Sequence, residues 1–188
     1  MKPYLGVEGG FVFFKDETDE LADDYVDDGA FDVTVEQNVA ALATRPFVGV
    51  ELTENIALEL GVMVFSQKTT ADVRDGGGSY EESWKNSWRT VDYSVLLRPS
   101  ADTGWQGFFA RVGGHSTKGT TDFDSTRNTP EKQSESKSGA LFGLGYDWFF
   151  GESKQHHALR FSFTHYSSFV GLEDDALNIV RVGYFYRF

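Results

Sequence analysis

The sequence predicts an all-β fold, an eight-stranded antiparallel up-and-down transmembrane β-barrel over residues 1–188 as one domain. Three observations predict it. Period-two alternation recurs eight times along the chain, which is the spacing of a strand with two unlike faces. The alternating runs are 11–13 residues long, whereas strands of soluble proteins usually run about 5–6 residues and membrane-crossing strands about 9–11. The connections alternate between long polar segments and short turns, as in bacterial outer-membrane barrels.

The eight strands are expected at Tyr4–Lys15, Leu42–Leu52, Ile56–Lys68, Ser87–Arg98, Gly107–Lys118, Ser138–Phe149, Ala158–Ser168 and Ala176–Phe188. The longer connections are Asp16–Ala41, Thr69–Asn86 and Gly119–Lys137, with Phe169–Asp175 as a shorter fourth member of that set. Thr53–Asn55, Pro99–Gln106 and Phe150–His157 are the tight turns. An even strand number puts both termini at the tight-turn end. The one weak helical pattern, Val35–Ala43, is stopped by Pro46. The segment Gly119–Lys137 is rich in Ser, Thr and Asp and reads as a mobile loop.

Composition bounds the function. The chain has 17 Lys and Arg, 29 Asp and Glu, and a formal charge of −12, so nucleic-acid phosphates would be repelled. It has no cysteine, which excludes disulfides, thiolate metal sites and a cysteine nucleophile. No apolar stretch approaches the ~20 residues of a membrane helix. No signal-peptide core precedes the first strand, so the chain is expected either to be cytosolic or to begin near a mature N-terminus. The acidity is local. Residues 16–36 hold ten acids and no base, leaving 19 acids against 17 bases elsewhere.

The two faces differ in chemistry. Val180, Val182, Tyr184, Tyr186 and Phe188 share one face of the last strand, while Ile179, Arg181, Gly183, Phe185 and Arg187 share the other. The remaining strands divide alike, with Ile56, Leu58, Leu60, Val62 and Val64 opposed to Ala57, Glu59, Gly61, Met63 and Phe65. A water-facing sheet would be rich in Lys, Thr, Asn and Gln. The mixed face instead carries Gly, Ser, aromatics and about one charge per strand, which suits a narrow interior filled by side chains. Charges in that interior must pair. The candidates are Glu8, Glu51, Glu59, Asp92 and Asp147 against Arg45, Arg111, Arg160 and Arg181.

Two motifs bear on chemistry. His165 and Ser167 lie two apart, so they share a strand face within reach for a base and a nucleophile. That face is the lipid-facing one, and the ordinary reading is an interfacial histidine with small polar neighbours. The acidic pairs Asp23-Asp24 and Asp27-Asp28 offer oxygen ligands for a divalent cation, bridging to lipopolysaccharide phosphates, but no EF-hand spacing is present. A solvated loop, whose charge keeps the surface hydrated, is the favoured reading. His115, His156, His157 and His165 do not have metal-ligand spacing, so neither a metal nor a cofactor is expected.

The C-terminal run Val182-Gly-Tyr-Phe-Tyr-Arg-Phe188 resembles the terminal strand signal of bacterial outer-membrane proteins. The resemblance implies that Tyr184, Tyr186 and Phe188 address the barrel-assembly machinery. Tyr4-Leu-Gly-Val-Glu-Gly-Gly-Phe11 is similar to the first strand of the OmpA-like eight-stranded barrels, and Phe109-Ala-Arg-Val-Gly-Gly114 and Leu141-Phe-Gly-Leu-Gly-Tyr146 are similar to their middle strands. The family implies a bacterial outer-membrane location, a monomer, and outer-membrane lipids and lipopolysaccharide as partners. It also implies surface loops in structural or interaction roles, with a narrow solute channel as an alternative. No peptidoglycan-binding segment follows Phe188, so cell-wall anchoring is not expected. His165 and Ser167 resemble the PagL-type lipid A 3-O-deacylase pair. There an asparagine follows the serine and an acid on the next strand orients the histidine. Here Ser168 follows, and the nearest acids are Glu173, Asp174 and Asp175 in the preceding loop.

Overall fold

Eight strands close on themselves in this computed structural model, which describes residues 1–100, 105–150, 156–171 and 176–188. They are β1 (Lys2–Phe13), β3 (Ala40–Glu51), β4 (Ile56–Asp75), β5 (Gly78–Leu97), β6 (Phe108–Ser125), β7 (Glu131–Phe150), β8 (His157–Ser167) and β9 (Ala176–Arg187). Each pairs antiparallel with the next, and β1 pairs with β9 to complete the ring. Across the apolar belt every strand is paired on both sides, which is what spanning a bilayer with strands requires. No helix is long and apolar enough to cross a membrane. The residues 101–104, 151–155 and 172–175 of three connections, including Glu173, Asp174 and Asp175, lie outside the described residues.

Side chains alternate strictly about the wall. Leu5, Val7, Leu60, Val112, Leu144 and Val182 point outward, and the outer surface is an apolar belt. Arg45, Glu8, Asp92, Arg160 and Thr164 point inward and are fully buried. This inverts a soluble barrel, and only a hydrocarbon solvent makes it favourable. Aromatics mark the tight-turn edge of the belt. There Trp148 lies near Phe150, Phe150 and His157 contact Tyr184, and Tyr186 packs edge-on to Phe188.

Four strands are longer than the sequence suggests. β4, β5 and β7 have 20 residues each and β6 has 18. At about 3.3 Å per residue a 20-residue strand reaches about 65 Å, well past a hydrocarbon core of about 30 Å. The segments Thr69–Asn86 and Gly119–Lys137 are therefore not loops. They are the far halves of two hairpins, paired in register from Thr69↔Trp84 to Asp75↔Gly78 and from Gly119↔Glu135 to Phe123↔Glu131. Beyond the belt the outward face meets water and the inward face, though still covered, carries Gln67 and Thr69 before Ala71 and Val73, so Ser66-Gln-Lys-Thr-Thr-Ala-Asp-Val73 loses its apolar alternation while keeping its β geometry.

The acidic segment is also structured. A short strand, β2 (Asp32–Gln37), pairs with the far half of β4. It lies end to end with β3, which pairs with the near half of β4. The Val35–Ala43 helix expectation fails because Val33 and Val35 instead pair across to Val73 and Ala71. The helix, α1, runs from Thr18 to Asp27. Asp16 caps its entry by accepting from the Thr18 amide (3.1 Å) and hydroxyl (2.8 Å), which holds its carboxyl below the usual range. Asp19 and Glu20 in the first turn face the positive end of the helix dipole. The exit is a Schellman turn. Ala30 N–H donates to Tyr25 O and Gly29 N–H to Val26 O, each at 3.0 Å, with Gly29 at φ +99°. That turn buries Ala30 against Ala71 and Val73, with Tyr25, Val33 and Tyr80 around them. The Tyr25 hydroxyl donates to Glu82. Burial first, and then this carboxylate, raise its pKa.

Candidate functional site: a filled barrel and its outer end

The interior is stacked in layers. Nearest the tight turns, Glu51 accepts from Arg98 (3.3 Å) and pairs with Arg187 (2.7 Å), and Arg98 reaches Asp147 (3.2 Å). Above this mouth lies an aromatic layer of Tyr4, Phe47, Phe109 and Phe185 with Leu96. The charged layer comes next. Arg45 donates to both oxygens of Asp92 (2.5 and 2.9 Å) and to Glu8 (2.8 Å). Arg111 donates to Glu59 (2.7 Å). Arg160 grips Asp147 through two bonds (2.7 and 3.0 Å), also donates to Glu59, and sits against the rings of Phe47, Phe109 and Phe185. Arg181 donates to the Tyr166 hydroxyl (2.9 Å) and lies 3.6 Å from Glu8. Tyr4 donates to Glu59 (3.2 Å) and Ser162 to Glu8 (3.1 Å).

All nine charged residues singled out from the sequence thus face one another, eight in this layer and Glu51 at the mouth. Arg98 and Arg187 join them. Arg187 lies on the inward parity of the last strand, and its pairing with Glu51 was legible there. Arg98 lies at a strand end beside Pro99, where parity gives no signal. Glycines make the layer fit. A Cβ on Gly61 would lie 2.5 Å from the Arg45 guanidinium, and one on Gly183 would lie 2.6 Å from Glu8 Cγ.

A second apolar layer closes the long-loop end. Phe65 stacks on Trp88 (4.9 Å) and Phe169 (5.9 Å), and Phe14 stacks on Trp88 (5.5 Å). Phe169 and Val170 come from the connection after β8 and turn into the barrel, where Trp88 Nε1 donates to Val170 O (2.9 Å). His115 is buried here. Its Nε2 lies 2.7 Å from Ser167 O and its Nδ1 3.0 Å from the Thr117 hydroxyl. Beyond inward parity, no feature of the chain signals this role for His115.

The structure does not join His165 to Ser167. His165 Nδ1 lies 2.9 Å from Asn178 Oδ1 on the facing strand. The Ser167 hydroxyl accepts from Ala140 N–H (3.0 Å) and donates to Ala140 O (3.2 Å). Among the described residues no three His, Asp or Glu side chains converge as metal ligands. Tyr184, Tyr186 and Phe188 lie at the closing seam, where Tyr184 pairs with Val7, Tyr186 with Leu5, and Phe188 N–H donates to Pro3 O (3.0 Å).

Solved structures share this architecture. Ail, the attachment invasion locus protein of Yersinia pestis, solved with the heparin analogue sucrose octasulfate, superposes with a TM-score of 0.57 at 11% identity over 100% of both chains. The fold is that of the OmpA-like outer-membrane barrels. OprG of Pseudomonas aeruginosa (TM-score 0.49, 11% identity, 100% of this chain and 96% of that one) and the N-terminal barrel of OprF from the same organism (TM-score 0.43, 12% identity, 100% of both) are also similar. No family model and no curated protein matches the chain. With the apolar belt, the fold places the barrel in the bacterial outer membrane.

Proposed function

We propose that this barrel works at the cell surface as a non-conducting anchor for an ordered extracellular platform. One observation carries the reading: the interior is filled by two apolar layers around an ion-paired layer, while β4 to β7 continue outward past the membrane as paired strands. A barrel of eight strands has room only for side chains, and here Arg45, Arg160 and Arg181 occupy that room. Reconstitution in planar bilayers tests it. The wild-type barrel is expected to show no stable openings, and a steady unitary conductance would sink the reading.

The outer wall supports lipopolysaccharide as the lipid partner. Just above the apolar belt, Lys68 lies opposite Lys85 and Arg89 opposite Lys118 on neighbouring strands, all four exposed. Like charges directly opposite repel, and phosphates of the outer-leaflet glycolipid at that height neutralise them. Lys132 joins the cluster and pairs with Asp122 (2.8 Å). The platform itself carries ten acids between residues 16 and 36. Its partner is therefore not a polyanion of the kind bound to Ail but a neutral or basic surface.

A further inference from the structure

Above the aromatic plug the barrel opens into a cup of about 610 Å3, within the range of small-molecule sites. Its floor is the plug, through Phe14, Gly171 and Leu177. One wall is the inward face of the hairpin extension, where Gln67, Asn86 and Thr121 lie level with one another and Gln37, Thr69 and Trp84 form the next level out. A shallower recess of about 350 Å3 adjoins it, sharing Asn86, Thr121 and Gly171.

The hydrogen bonding of this wall is unfinished. Gln37 is committed, donating to Lys15 O (2.9 Å) and accepting from Glu17 N–H (3.1 Å). Asn86 uses its carbonyl oxygen to accept from Thr121 (2.7 Å), which leaves its amide hydrogens directed elsewhere. Gln67 and Thr69 are each only 7% exposed, line the cup, and make no side-chain hydrogen bond among the described residues. Their polar atoms are open to the cup and not sealed from solvent, so whatever occupies the cavity, water or ligand, takes up those hydrogen bonds.

We infer that the cup binds an uncharged carbohydrate. Gln67 and Asn86 each hold a donor and an acceptor on one planar amide, and Thr69 adds a hydroxyl that both donates and accepts. That set matches neighbouring sugar hydroxyls, which are themselves both donors and acceptors. The Trp84 indole and the Phe14 ring supply flat apolar faces for the C–H side of a pyranose. Among the described residues the depth of the wall holds no ionic group, and the two charges that line the cup, Lys15 and Glu17, are of opposite sign and belong to the segment between β1 and α1. A charged sugar therefore gains nothing over a neutral one. The inference deepens the surface-platform reading by naming a ligand class for its inner face.

The test uses the full chain refolded in a zwitterionic detergent that contains no sugar. Labelled protein is applied to an array of neutral, sialylated and sulfated glycans, and N,N′-diacetylchitobiose, maltotriose and lactose are titrated while tryptophan fluorescence is followed. The expected result is capture by neutral glycans and a saturable change in emission. Thr69→Val and Gln67→Met should each weaken binding at least tenfold while heat-modifiable gel migration shows an intact barrel. Should Gln67→Met fail to fold, the near-isosteric Thr69→Val and the array decide. The inference is overturned if no neutral glycan binds, if binding survives both substitutions unchanged, or if only sulfated or sialylated glycans bind and salt releases them. Conductance silence with no glycan bound would remove the cup ligand and leave the closed barrel standing.

Discussion

Replacing Arg160 with Met is the sharpest test of the charged layer. The guanidinium makes two bonds to Asp147 (2.7 and 3.0 Å), a third to Glu59, and lies about equally against three aromatic rings. Methionine approximates the length of the stem, so the main loss is charge. After the change Asp147 keeps only Arg98 at 3.2 Å, and Glu59 keeps Arg111 at 2.7 Å and Tyr4 at 3.2 Å. In the deep layer Glu8, Glu59, Asp92 and Asp147 then face only Arg45, Arg111 and Arg181. Leaving a buried charge without its partner costs about 3–5 kcal/mol, or roughly two to four powers of ten in the folding equilibrium. Urea unfolding of the refolded barrel in lipid vesicles, followed by tryptophan fluorescence, measures it. Asp147→Asn in the same chain removes the stranded carboxylate and should recover most of the loss, and the double-mutant cycle isolates the pair. If Arg160→Met alone stays within ~1 kcal/mol of wild type, the pair behaves like an exposed surface bridge, and the reasoning about a dry, charge-balanced interior is wrong.

Four further outcomes are expected. Trp88→Ala should cost about 3–5 kcal/mol by emptying the outer plug, yet bilayers should stay silent, because the charged layer beneath is untouched. Gly29→Ala forces a side chain into the left-handed conformation at φ +99°, and about 1–2 kcal/mol of local stability should be lost; proteolysis should then nick residues between Asp16 and Gln37 faster. Asp75 accepts from Arg127 (2.5 Å) and from Gly77 N–H (2.7 Å), which hold its carboxyl below the usual aspartate range, so the tie between the two hairpin tips is complete above that range and lost as pH falls through the lowered value. The carboxyl carbon shift of Asp75 should report this, and Arg127→Gln should move the titration part of the way back toward ordinary pH, since the Gly77 N–H bond remains. Ser167→Ala should leave lipid A acylation as the wild-type chain leaves it when mass spectra are compared, since His165 is engaged by Asn178 and not by Ser167.

The transmembrane part of the fold was legible because one physical rule governs every residue in it. Inside the bilayer a side chain faces hydrocarbon or a packed interior, so the sequence alternates without exception, as from Ile56 to Phe65. Outside the bilayer that rule lapses. From Thr69 to Val73 and from Gly119 to Phe123 the chain keeps its strand because it is paired on both sides, and no apolar pattern records the pairing. The acidic segment misled for a related reason. Asp19, Glu20, Asp23 and Asp24 read as a solvated loop, yet α1 needs only Leu21 and Tyr25 turned inward and a Gly29 exit. A charge-dense helix with two anchoring side chains has no periodic signature. The cup was hidden too, because it brings together residues of six strands, α1 and the β1–α1 connection. Gln67 and Thr69 look like ordinary surface polar residues until β2 and β5 are placed on either side of them.

Charge is distributed along the barrel axis in a way that assigns each region its solvent. The deep layer balances four carboxylates against four guanidiniums, which is the condition for charge to exist in a dry interior at all. The belt carries none. The row above it, with Lys68, Lys85, Arg89, Lys118 and Lys132 against the one acid Asp122, is net basic at the height proposed for glycolipid phosphates. The segment beyond, residues 16–36, contributes ten acids to a chain whose net formal charge is −12. Acids at phosphate height would be driven from the membrane surface, and bases in the outer segment would draw it down onto the same phosphates. On the proposed reading, the basic row would hold the wall to the leaflet and the acidic segment would stand off from it. A rim held clear of the lipid headgroups keeps the mouth of the cup open to solutes arriving from outside, and a neutral ligand can enter past acidic residues that would turn a polyanion away.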